Sequence, residues 1–224
     1  MKIKHLLLWA LGPMLLGSVG CQKTPSTSAL QNEFLVYTAY DDDADFRAID
    51  TYYIPDSILL IGSHALDAEG NKVAKYWTDN QALSLINTIV GQMNSCGYTR
   101  LTDNDAKTTA DVGLQVSYVE ESTYFVGYND PYWWLDYPYY WPPAYWGPWA
   151  GWYYPYAVYY GYTIGALLVE MVDLNAQSDA GVKQLPVIWN SFISGLLRPN
   201  GSIDIDEATQ GIDQAFEQSQ YLNK

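Results

Sequence analysis

Beyond the N-terminal leader the chain carries one histidine, His64. Any Ser-His-Asp or Cys-His arrangement has to use it. It lies in GSHALDAEG, a polar run that predicts a solvated loop histidine. There is no HExxH, no CxxC pair and no Walker-type Gly-rich loop, so zinc-protease, dithiol and P-loop chemistries lack their residues. GYNDP and GPWAG are turn sequences rather than phosphate cradles. Carboxylates are plentiful, with 25 Asp and Glu against 11 Lys and Arg. The enzymatic option left open is a pair of acids, distant in sequence, that converge for glycoside hydrolysis. Asp41-Asp42-Asp43-Ala44-Asp45 gathers four of them. That spacing lacks the Gly and the terminal Glu of an EF-hand loop and predicts a solvated acidic turn. No catalytic residue, metal ligand or cofactor is assigned.

Two cysteines remain as chemistry-bearing groups. Cys96 ends a helical pattern before Gly97 and is expected to be a buried, inert thiol. Cys21 is different. Lys2 and Lys4 form a basic start, and Leu6 to Leu16 form an apolar run broken by Gly12-Pro13. The run is too short for a comfortable span of ~20 residues. Ser18-Val19-Gly20 then place small residues directly before the thiol, although Ser18 stands where Leu is usual. This pattern predicts residues 1–20 as a lipoprotein signal peptide and Cys21 as the acylated N-terminus. Its membrane partner is then reached through that lipid. Residues 21–32 follow as a flexible tether, too small and polar to bury a core. There is no Asp beside Cys21 and no acidic cluster close behind it. Both absences favour the outer membrane, with the protein facing the periplasm. Losing Lys2 and Lys4 takes the formal charge from −14 to −16, which argues against nucleic acid as a partner.

The most unusual stretch runs from Tyr128 to Tyr162. About half of it is Tyr or Trp, with Pro throughout. Trp133, Trp134, Tyr140, Trp141, Trp146, Trp149 and Trp152 are its candidate ligand-binding residues. Three readings stand open. The rings fold over the sheet as a structural lid, they form a surface for a protein or glycan, or they touch the lipid interface. The absence of Lys or Arg between them argues against single-stranded nucleic acid.

The flanking sequence supplies the elements that would position these groups. Phe34 to Tyr40 alternates loosely and can open a sheet, and Phe46 to Ile54 predicts a second strand. Thr78 and Gln81 stand at capping-box spacing before Leu83, Ile86, Ile89, Val90 and Met93, one apolar helical stripe that Gly97 ends. Tyr98 to Leu101 predicts a short strand and Thr102 to Thr109 a polar loop. Val112 to Tyr118 alternates as a strand with one buried face. Thr163 to Leu174, apolar on both faces apart from Glu170 and Asp173, predicts a central strand, and Val187 to Ile193 another. Ile205, Ala208, Ile212, Ala215 and Phe216 predict a second helix with Asp204 and Glu207 at its start. The two helical stripes are expected to bury against the same sheet face.

In this order the segments resemble a known family. ADFRAIDTYYI looks like the opening strand motif of the DUF4136 lipoproteins. Ala110-Asp111-Val112 is similar to that family's ADL-type strand, TIGALLVEMVD to its GTL-hydrophobic-D strand, and VIWNSFISG to its final Trp-containing strand. Ile164-Gly165-Ala166 stands where Gly-Thr-Leu is expected. The resemblance implies an envelope lipoprotein of α+β fold with no assigned activity, and it brings no catalytic residues. The expected architecture is a single α+β domain over residues 33–224. It has a mainly antiparallel sheet of about five strands, two helices packed on one face and the aromatic insertion at 128–162. The expected function is a non-enzymatic, outer-membrane-anchored envelope lipoprotein that binds a protein or glycan through the aromatic-rich loop. The alternative is an envelope enzyme of the glycan hydrolase type.

Overall fold

A computed structural model of the protein describes residues 34–66, 68–70, 72–119, 165–176 and 186–224. In these residues the fold is a mixed α/β arrangement with eight strands in one open sheet and three α-helices. The strands are β1 (Leu35–Tyr40), β2 (Thr51–Tyr53), β3 (Ile58–Leu66), β4 (Lys72–Trp77), β5 (Thr99–Arg100), β6 (Val112–Val119), β7 (Leu167–Asp173) and β8 (Val187–Ser194). The helices are α1 (Asn80–Ser95), α2 (Ala106–Thr109) and α3 (Ile205–Gln218).

The expected five-strand, mainly antiparallel sheet is corrected in two respects. The order is β1-β8-β7-β6-β2-β5, with β3 also paired to β6 and β4 paired to β3. Three pairings are parallel: β2 with β5, β2 with β6 and β3 with β6. Parallel neighbours need a crossover. Between β2 and β5 that crossover contains the β3–β4 hairpin and α1. The hairpin is an addition to the sequence expectation. His64 is correspondingly in β3, paired with Ala74, and not in a loop. The strand expected over Phe46 to Ile54 is also shorter. Asp45 accepts the Arg47 N–H at 3.1 Å and caps a 3-10 turn over Phe46–Ala48, so strand pairing begins only at Thr51.

Register puts Val112, Leu114, Val116 and Tyr118 of β6 on the same face as Leu167, Val169 and Met171 of β7 and Trp189 and Ile193 of β8. These side chains and the buried faces of α1 and α3 form one core cluster. In α1 the buried residues are Ala82, Leu85, Ile86, Ile89 and Met93. Leu83 and Val90 lie at the margin. The start of α1 also differs from the capping-box expectation. Asp79, one residue past Thr78, is the N-cap and accepts from Gln81 N at 2.8 Å and Ala82 N at 3.1 Å. Its end follows the expectation. Gly97 takes φ +97°, its N–H bonds Asn94 O, and Tyr98 N–H bonds Met93 O, the paired closure of a Schellman motif. In α3, Gly211 allows close approach to β8, since a Cβ there would lie 2.5 Å from Ile193 Cγ2.

The opposite sheet face is of mixed polarity. Gln115, Glu170 and Asn190 lie side by side across β6, β7 and β8. Gln115, Ser117, Glu170 and Ser194 are buried, and Gln115 Nε2 donates to Ser117 Oγ at 3.0 Å.

Candidate functional site

At the end of the sheet where β6 begins and β7 ends, the acidic run after β1 folds back. Asp41 N–H still bonds Ile188 O of β8 at 3.0 Å, and Ala44 N–H closes a turn on Asp41 O. The Asp41 carboxylate accepts the N–H of Asp43 at 3.0 Å. Asp45 accepts from Arg47, and Asp173 accepts from Asn175 N at 2.8 Å. Each is an i to i+2 Asx-type bond, in which a short acidic side chain shapes its own loop. This bears out the acidic-turn reading. Among the described residues, no group of three or more His, Cys, Asp or Glu is placed to hold a metal ion.

Asp111 ties this end of the molecule together. Its Oδ2 accepts from Asp50 N at 3.0 Å, Thr51 N at 2.9 Å and Thr51 Oγ1 at 2.8 Å. Its Oδ1 accepts from Asn175 Nδ2 at 3.2 Å, and its own N–H donates to Thr51 Oγ1 at 3.0 Å. Burial acts to raise the carboxyl's pKa. The donors from Asp50, Thr51 and Asn175 outweigh it and hold the group below the ordinary carboxyl value. Sequence inspection marked Asp111 only as part of a strand motif. Its partners lie about sixty positions away, and no local spacing announces them.

Together these segments make a cleft of about 350 Å³. Its lining includes Asp41, Asp45, Asp111 and Asp173 beside the apolar Ile49 and Ile188. Such a lining attracts cations and repels anions. Asp111→Ala is expected to destabilise the protein by about 1–3 kcal/mol at pH 7, because two backbone donors and the Thr51 hydroxyl lose their acceptor. The sign of the pH dependence follows from the lowered folded pKa. The contribution is complete above the ordinary carboxyl pKa of about 3.9 and is lost as pH falls through the folded value. Urea midpoints for the two proteins should therefore converge below about pH 4. A constant gap down to pH 2 would assign the loss to packing instead.

Cys21 and the seven aromatic residues Trp133, Trp134, Tyr140, Trp141, Trp146, Trp149 and Trp152 lie outside the described residues. What the structure describes is where the aromatic stretch joins the fold. β6 and β7 are antiparallel neighbours in continuous register from Val112↔Asp173 to Tyr118↔Leu167. Gly165 N–H bonds Val119 O and Val119 N–H bonds Ala166 O, both at 2.9 Å. The chain leaves and re-enters the sheet at adjacent positions on two interior strands. Cys96 is buried, and burial pushes its thiol pKa up, as an inert thiol requires. No helix among the described residues is long and apolar enough to cross a membrane.

Comparison with known proteins places this geometry in context. The family model described as "Domain of unknown function (DUF4136)" matches residues 36–219. The crystal structure of a DUF4136 family protein from Bacteroides thetaiotaomicron is similar at a TM-score of 0.68 and 39% identity, covering 85% of this chain and 97% of that one. PelC from Paraburkholderia phytofirmans, solved as a dodecamer, aligns at 12% identity and a TM-score of 0.37, covering 85% of this chain and 99% of that one. That likeness is too slight to bear on function. No curated protein matches.

Proposed function

The chain belongs to the DUF4136 family, and from that premise we propose a non-enzymatic lipoprotein of the outer membrane. It is anchored through Cys21, faces the periplasm and binds an envelope protein or glycan through its aromatic-rich loop. The observation that carries this reading is the rooting of residues 120–164 at the β6–β7 junction. The two strands that this stretch leaves and rejoins are interior neighbours, joined at that end by backbone hydrogen bonds. Tyr and Trp offered there give large contact area at little entropic loss. The acids favour binding over hydrolysis. Asp41, Asp45 and Asp173 shape their loops, and Asp111 is held by four donors. On the face bearing Glu170, the register brings no second Asp or Glu beside it among the described strands.

Replacing residues 128–162 with a short Gly-containing turn tests the reading. The expected product is soluble, monomeric by size exclusion and native by circular dichroism, and it no longer retains the partner captured from solubilised envelopes by the full chain. An aggregated product would show that the rings complete the core. In the full-length chain, Cys21→Ser is expected to block processing and release from the precursor form. Normal processing and membrane fractionation of that variant would remove the anchor from the proposal.

A further inference from the structure

β1 forms one edge of the sheet among the described residues. Its bond from Asp41 N–H to Ile188 O fixes which backbone groups face inward. Antiparallel partners alternate, and the register runs Leu35↔Ser194 to Tyr40↔Trp189 without a bulge. Residues 35, 37, 39 and 41 therefore direct their backbone groups at β8. Val36, Thr38 and Tyr40 direct theirs away from the sheet. Proteins blunt such an edge with Lys, Pro, bulges or brevity. The sequence LVYTAY has no charge and no Pro, spans six residues and carries exposed Leu35 and Tyr40. Beyond its end stand Asp41, Asp42, Asp43 and Asp45, all exposed, against the single cation Arg47.

We propose that β1 is a docking edge for an extended segment of another protein. That segment has alternating apolar residues and Lys or Arg at the end lying beside Asp41–Asp43. Backbone hydrogen bonds to Val36, Thr38 and Tyr40 supply the pairing, and the carboxylates select the charge and direction of the incoming strand. A second copy of this chain is a poor occupant. Antiparallel self-pairing about Thr38 sets the uncharged Phe34 and Leu35 of each copy against Asp42 and Asp41 of the other, so the carboxylates meet no cation there. β1 lies two places from β7 in the strand order, and this inference rests on no residue of the aromatic stretch.

The test uses the full mature chain and two blocked ten-residue peptides of alternating Val and Thr, one ending in Lys-Lys and the other in Glu-Glu. The Lys peptide is expected to bind at least tenfold more tightly at low salt, with the difference shrinking as salt rises. Thr38→Pro removes an outward N–H without touching the β8 ladder. It should abolish peptide binding while leaving the urea midpoint near that of the unsubstituted protein. Should Thr38→Pro misfold, the double variant Asp42→Lys, Asp43→Lys provides a second test, and it should reverse the peptide preference. Equal binding of both peptides, binding that survives in folded Thr38→Pro, or an unchanged preference in the charge-reversed variant would overturn the proposal. A dimer dispersed by Thr38→Pro, with no peptide bound, would assign the edge to self-association and also overturn it.

Discussion

Trp189→Ala is expected to lower the unfolding free energy by about 3–5 kcal/mol, the range for a large aromatic truncated in a packed core. Trp189 is fully buried in β8. Its ring lies 5.2 Å from that of Phe216 in α3, and its Nε1 donates to Ser219 Oγ at 2.9 Å. It thus fastens the last strand to the end of the last helix. Tyr221 OH also reaches Ser219 Oγ, at 3.2 Å, so the Ser219 oxygen keeps a donor when the indole is lost. Trp189→Phe keeps most of the volume and removes the hydrogen bond, and should therefore lose only about 1–2 kcal/mol. Urea unfolding followed by circular dichroism measures both. Losses of equal size would mean that the hydrogen bond, and not the volume, carries the effect.

Leu85→Ala should lose about 2–5 kcal/mol, while Leu83→Ala on the same helix should lose less than about 1 kcal/mol. Leu85 is fully buried between α1 and the sheet, whereas Leu83 is only partly buried. Comparable losses at the two sites would show that α1 sits rotated from the orientation described. The contrast also marks what sequence can and cannot resolve. The apolar arc of α1 is wide, and Leu83 and Leu85 lie on its two borders. Periodicity alone selected Leu83, Ile86, Ile89, Val90 and Met93. Packing against the sheet and α3, where Gln92 Nε2 reaches Asp213 Oδ1 at 2.7 Å, turns the arc toward Leu85. In α3 the expected stripe of Ile205, Ala208, Ile212, Ala215 and Phe216 is narrow; the last four are buried, and Ile205, at the first turn, packs partly buried against the core.

The antiparallel centre of the sheet was legible for a related reason. β6, β7 and β8 are long and either alternate or run apolar, so their patterns are distinct. The parallel contacts engage only two or three residue pairs each, too few to leave a signature. β3 escaped notice because ILLIGSHAL does not alternate cleanly, and its pairing to β4 shifts register between Leu59 and His64. The candidate site was legible in its acidic loop, where Asx bonds are local. It was not legible in the Asp111 cluster, which forms only when Asp50, Thr51 and Asn175 are brought to it by the fold.

The register of β1 has a further consequence for how the chain acquires this structure. The first strand pairs with the last, and α3, which closes the core over α1, lies later still. A chain that emerges N-terminus first therefore carries β1 without its mate until nearly all of the sequence has appeared. Pairing of such high sequence separation pays its loop-closure entropy before any contact rewards it. The sheet can grow outward from the β6–β7 pair, but its β1 edge is completed only after β8 arrives. During that interval an uncharged, strand-forming segment stands open to wrong partners. Truncation before residue 187 should leave β1 unmatched for good. Growth of the nascent chain thus sets the earliest moment at which the sheet can be completed.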